Sequence, residues 1–207
     1  MILKSKICGV SDSKTLSYII DHVYPPQFVG FIVNYPKSSR FVKFEKLKEL
    51  LNVEKKNCKF VCVLVKPDSE ILLKIKNLPF DYYQIYDCSP DEIQLIKNEY
   101  NKKIITALTI SDSYDIKRYK DFESIADILL FDSNGYEKSA SFNHEFLNDV
   151  KTSKQIMVAG DIKTDDLPKF KDKSYIIDIS GHLESEKGIK DINKIDKFLN
   201  TVHNINS

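Results

Sequence analysis

KIITALTISDSYDIKRYKDFESIADILLFD, residues 103–132, decides how the rest of the chain is read. It opens on a β-branched run predicted as a strand over 103–108. SDSY at 111–114 supplies helix-entry residues ahead of a predicted helix over 113–125. A second apolar run, 127–132, is predicted as a strand ending in Asp132. The same alternation fills the chain. Further strands are predicted at 3–8, 28–33, 59–65, 81–86, 155–159 and 175–179. Helices are predicted at 14–23, 44–51, 69–76, 89–101, 143–150, 164–170 and 191–202. Strict strand–helix alternation argues for a parallel sheet. Eight such units, about 25 residues apart, argue for closure into a single (β/α)8 TIM barrel spanning residues 1–207. A doubly wound open sheet is the alternative.

Composition narrows the class. The chain has 207 residues, 42% of them apolar and 29% charged, with a formal net charge of +1. That balance gives no argument for nucleic acid or an anionic membrane as a partner. Lysine-rich stretches such as KLKELLNVEKKNCK (46–59) read as solvated helix faces. No apolar run approaches the ~20 residues of a membrane helix, and the N-terminus is too charged for a signal peptide. A cytoplasmic protein is expected, monomer or homodimer. The four cysteines, Cys8, Cys58, Cys62 and Cys88, fit neither a zinc site nor a CxxC motif. Cys58 and Cys62 share a face, and both, with Cys88, read as reduced core thiols.

Strand parity picks out candidate functional groups. In KICGV (6–10), Lys6 and Cys8 share one face and Ile7 takes the other. In YIIDIS (175–180), Asp178 and Ser180 oppose Ile177 and Ile179. If the aliphatic faces meet the helices, Lys6, Cys8 and Asp178 point into the barrel, where a lysine must be paired. Asp178 or Asp132 is the expected partner. Only six glycines occur, and Gly9, Gly135, Gly160 and Gly181 each follow a strand end, with Gly188 in the last loop. Turn chemistry accounts for any one of them, and close approach to a ligand is the other reading.

KICGV, GFIVNYPKSSR (30–40), LLFD (129–132), VAG (158–160), DIS (178–180) and GIKD (188–191) occur in an order that resembles the phosphoribosylanthranilate isomerases of tryptophan biosynthesis. The resemblance implies an Amadori rearrangement. A general acid protonates the furanose oxygen, the ring opens to a Schiff base, and a general base removes the C2 proton. It implies no metal and no organic cofactor, and a small phosphorylated substrate as the partner. Carried over by motif, Cys8 matches the base and Asp132 the acid. Lys6 is expected to lower the Cys8 pKa, and burial to raise that of Asp132. Arg40 matches the arginine whose fork suits the anthranilate carboxylate. Gly160, Ser180 and Gly181 fall where the seventh and eighth loops hold the sugar phosphate, and Asp178 matches an aspartate that orients ring hydroxyls or the amine.

The chain departs from that pattern in four places. YEKSASFNH (136–144) stands where the family has a glycine-rich segment, and QIYD (84–87) stands for Q-L-H-G. AGDI (159–162) stands for A-G-G-L, and SGH (180–182) for S-S-G. Asp161 near a phosphate is repulsive unless it turns outward to cap the next helix. His144 and His182 are expected to be exposed loop residues. Two other readings remain: a barrel acting on another phosphorylated aminosugar, and a non-catalytic phosphoribosyl-binding module.

Overall fold

Eight parallel strands pair in chain order, and the last pairs with the first, so the sheet is closed. The computed structural model describes residues 2–134 and 141–207. The strands are β1 (Lys4–Cys8), β2 (Phe28–Ile32), β3 (Lys59–Val65), β4 (Tyr82–Tyr86), β5 (Lys103–Ile110), β6 (Ile128–Ser133), β7 (Gln155–Val158) and β8 (Ile176–Ile179). Every predicted strand is present within two residues at each end, and the barrel, not the open sheet, is the fold. Gly135 and the altered segment over 136–140 lie outside the described residues.

Alternation along each strand sorts the apolar residues into two clusters. Ile7, Val29, Phe31, Phe60, Leu64, Leu129, Phe131, Ile177 and Ile179 face outward beneath the helices. Phe28, Val61, Val63, Ile105, Leu130, Met157 and Ile176 fill the barrel interior, with Cys8 in the same inner cluster. Closure therefore needs little beyond the two-residue strand period. Cys58 and Cys62 join the outer cluster as free thiols, and Cys88 is half-buried.

The connections are α1 (Ser13–Asp21), α2 (Phe44–Leu51), α3 (Ser69–Ile75), α4 (Pro90–Tyr100), two four-residue helices α5 (Ser113–Ile116) and α6 (Tyr119–Phe122), and α7 (Ile192–Asn206). Carboxylate or hydroxyl caps start most of them: Asp12, Asp68, Ser89, Asp112 and Asp191 each accept from a first-turn N–H. The helix predicted over 113–125 is broken in two. Its buried residues, Ile116, Tyr119, Phe122 and Ile125, recur at intervals of three. A 3.6-residue helix cannot keep such a row on one face. The chain tightens instead, with Lys117, Arg118, Lys120 and Asp121 each donating to the carbonyl three residues back. The helices predicted over 143–150 and 164–170 are 3-10 segments, His144–Asp149 and Thr164–Phe170, the second holding Pro168. A short hairpin, β9 (Glu184–Glu186) with β10 (Ile189–Lys190), occupies the last loop, where no element was predicted.

One glycine sits inside the barrel wall. A Cβ on Gly30 would lie 2.9 Å from Cys8 Sγ and 3.2 Å from Lys6 Nζ. Gly30→Ala is therefore expected to cost about 1–3 kcal/mol in urea denaturation. An unchanged midpoint would show that the thiol and ammonium are not held against β2.

Candidate active site

Lys6 is fully buried in the barrel, and its Nζ lies 2.7 Å from Asp178 Oδ2. Register explains the meeting, because Lys6 and Asp178 are direct partners across β1 and β8. Burial alone would lower the lysine's pKa, but the charges of Asp178 and Cys8 outweigh it and the net direction is upward. The ammonium is thus kept. Asp178 Oδ1 is buried without a hydrogen-bond partner among the described residues, and Asp178 lines a cavity of about 310 Å³ at the C-terminal mouth of the barrel. A buried acceptor left open in a cavity wall is a place for a ligand hydroxyl or amine.

Cys8 ends β1 in the same cavity, 8% exposed. Burial pushes its thiol up, and Lys6 pulls it down without winning. The expected lowering by Lys6 is real in sign and too small against burial and the Asp178 charge. Gly9 follows at φ +73°, and a Cβ there would strike Arg40 Cδ at 2.4 Å. Glycine after the thiol is thus what lets Arg40 cross to the cavity. Arg40 grips Glu184 with both Nε and Nη2, the second at 3.0 Å. Glu184 also accepts from buried Lys190 at 3.0 Å. Despite its own burial, these donors hold the Glu184 carboxyl down at about 2.

Asp132 stands three strands around the ring from Cys8, on β6. Its Oδ2 accepts from the Tyr86 hydroxyl at 2.8 Å, and its Oδ1 from the Ser133 N–H at 2.8 Å. Burial still dominates and raises the carboxyl to about 6. Gln84 Nε2 in turn donates to the Tyr86 oxygen at 3.0 Å. Tyr86 carries no role in the sequence reading beyond its departure from Q-L-H-G. Parity on β4 is the signal that places it inside with Gln84.

The seventh and eighth loops complete the mouth. Gly160, Asp161, Ser180, Gly181 and His182 all line the cavity. Ser180 Oγ donates to the Cys8 carbonyl at 2.9 Å, and Lys190 Nζ donates to the Ser180 carbonyl at 3.0 Å, tying the two rims together. Asp161 does not cap the following segment; its Oδ1 lies 2.7 Å from His182 Nε2. His144 is not an exposed loop residue either. It is sandwiched edge-on between Phe142 and Phe170, bonded to the Ala159 carbonyl, and burial lowers its pKa. All seven residues chosen from the sequence, Cys8, Arg40, Asp132, Gly160, Asp178, Ser180 and Gly181, line this one cavity. Glu184, which sets Arg40, carries no periodicity that would have exposed it, while Lys190, which binds Ser180, lies within GIKD but carries no role there. Among the described residues no three His, Cys, Asp or Glu side chains are grouped to hold a metal.

A family model described as N-(5'phosphoribosyl)anthranilate (PRA) isomerase matches residues 5–201. The N-(5'-phosphoribosyl)anthranilate isomerase of Campylobacter jejuni is 34% identical over 209 residues, covering 96% of this chain and 98% of the relative. That of a Sulfurihydrogenibium species is 26% identical, with the same coverage of 96% and 98%. Among solved structures, phosphoribosyl anthranilate isomerase from Thermus thermophilus superposes with a TM-score of 0.83 at 16% identity, covering 98% of this chain and 99% of its own. A phosphoribosyl anthranilate isomerase in complex with reduced 1-(o-carboxyphenylamino)-1-deoxyribulose 5-phosphate gives 0.79 at 19% identity, covering 99% of this chain and 100% of its own. At those identities the structures speak for the barrel alone.

Tyr86 donates to the ionised form of Asp132, so its removal has a pH signature. The folded carboxyl titrates at about 6, above the ~3.9 of an unfolded aspartate. Asp132 therefore favours folding most at low pH, and that contribution is lost as pH rises toward 6. In Tyr86→Phe the ionised carboxylate loses a donor. The variant's destabilisation is expected to be larger at pH 8 than at pH 5, by on the order of 1 kcal/mol in paired denaturation curves. Equal cost at both pH values would contradict the bond's role.

Proposed function

The chain belongs to the N-(5'-phosphoribosyl)anthranilate isomerase family, and on that premise we propose that Cys8 is the general base and Asp132 the general acid of its reaction. The enzyme is an isomerase of tryptophan biosynthesis. What supports these roles is that the two groups face one cavity from opposite parts of the barrel mouth, with a carboxyl that titrates near 6. An acid of that strength is still protonated about a tenth of the time at pH 7, enough to give a proton to the furanose oxygen. Opening of the ring makes the Schiff base, and the Cys8 thiolate takes the C2 proton. The enolamine then tautomerises to the ketone.

The other contacts follow from position. Arg40, aligned by Glu184, is the only Lys or Arg among the described residues lining the cavity, and it meets the anthranilate carboxylate. Asp178 Oδ1 accepts from a ring hydroxyl or the amine, while Lys6 holds Oδ2. Gly160, Ser180 and Gly181 receive the phosphate on backbone N–H groups, as barrel phosphate sites do. Among the described residues no helix is long and apolar enough to cross a membrane. All four cysteines are free thiols, which accords with a reducing cytoplasm.

Cys8→Ser and Asp132→Asn are each expected to lower turnover of freshly generated phosphoribosylanthranilate by about 10²–10⁴-fold, followed as loss of anthranilate fluorescence. Either folded variant keeping a tenth or more of wild-type turnover would remove that residue from its role.

A further inference from the structure

On the phosphate reading of the seventh and eighth loops, the described cavity-lining residues of those loops include no Lys or Arg, and the cation beside them, Arg40 next to Gly181, comes from another loop. Among the described lining residues Arg40 is the only Lys or Arg, and its Nε and Nη2 are engaged by Glu184. Lys190 is nearby but buried, bound to Glu184 and to Ser180. The phosphate end instead carries a carboxylate, Asp161, which on its own repels a dianion.

His182 changes that balance. Its Nε2 lies 2.7 Å from Asp161 Oδ1, across the gap between the loops that follow β7 and β8. Both side chains line the cavity, at 36% and 40% exposure for His182 and Asp161, so a ligand can reach them. Asp161 is held at φ +57°, directly after Gly160 at φ +91°. A short polar side chain tolerates that left-handed backbone, so loop seven keeps its turn while gaining a carboxylate. An imidazole bonded through Nε2 keeps Nδ1 as its second polar atom, and as an imidazolium it donates from both. Asp161 is the departure from A-G-G, and His182, with Gly181, a departure from S-S-G, and the two side chains so introduced contact each other.

We propose that Asp161 and His182 form a charged clasp on the substrate's phosphoryl group. His182 contacts the phosphate as an imidazolium, and Asp161 is the positioning residue that fixes the ring and has its charge cancelled by it. The clasp rests on the phosphate reading of these loops. Its mark is a reversal in a variant series. Asp161 without His182 is worse than the pair or neither, because the repulsive member is exposed when its counter-charge goes.

The test measures KM, kcat and competitive inhibition by inorganic phosphate. His182→Gly is expected to raise KM and the phosphate inhibition constant together by about tenfold, with the effect on KM rather than kcat. His182→Gln keeps an N–H donor without charge and stays close to His182→Gly. Asp161→Gly with His182→Gly recovers most of the loss. A His182→Gly protein with wild-type KM, a Gln variant that restores wild type, or a double variant worse than His182→Gly would each overturn the clasp. Wild-type enzyme that turns over substrate but is insensitive to inorganic phosphate would overturn the phosphate reading itself, and the clasp with it.

Discussion

A lysine ammonium sealed inside the barrel is the constraint around which the mouth is arranged. Lys6 has no solvent exposure and one carboxylate partner at 2.7 Å. Removing one member of such a pair leaves a bare buried charge, which costs about 3–5 kcal/mol, whereas an apolar pair of similar volume is often neutral. Stability alone therefore gives no reason for Lys6 and Asp178. Their use lies in what they fix. Lys6 faces Cys8 one step along the same strand face, Asp178 is oriented by one oxygen and keeps the other buried without a partner among the described residues, and Gly30 leaves the room that Cys8 and Lys6 need.

Burial at the mouth pushes Cys8 and Asp132 in the same direction, and the consequences differ. The carboxyl comes to about 6, while the thiol rises from a value already above neutral. Near neutral pH the prevailing form has the proton on sulfur and the charge on Asp132. The reactive form, thiolate with carboxylic acid, holds the same number of protons. Lys6 favours the thiolate and so narrows the gap between them. Tyr86 opposes burial at Asp132 by donating to the carboxylate, with Gln84 behind it. At the rim, Glu184 pairs with both Arg40 and Lys190, although for Lys190 burial outweighs the pairing and the pKa is lowered.

The barrel was legible because each strand is a short apolar run, and a two-residue period needs no tertiary information to sort Ile7 from Lys6 or Ile177 from Asp178. The row Ile116, Tyr119, Phe122 and Ile125 held the evidence against one long helix in its spacing of three. Other features were not legible, because they are pairings between distant loops. Arg40 meets Glu184 and Asp161 meets His182 only after the barrel closes, and nothing periodic marks either. His144 likewise gains its aromatic neighbours from a 3-10 segment that packs Phe170 against it.

The pH dependence of kcat/KM tests the assignment of acid and base most directly. The account predicts a bell. Its acid limb lies near 6 and disappears in Asp132→Asn, and its alkaline limb lies above the ~8.5 of an ordinary thiol. A rate flat from pH 5 to 9, or an acid limb that survives in the residual activity of Asp132→Asn, would contradict it.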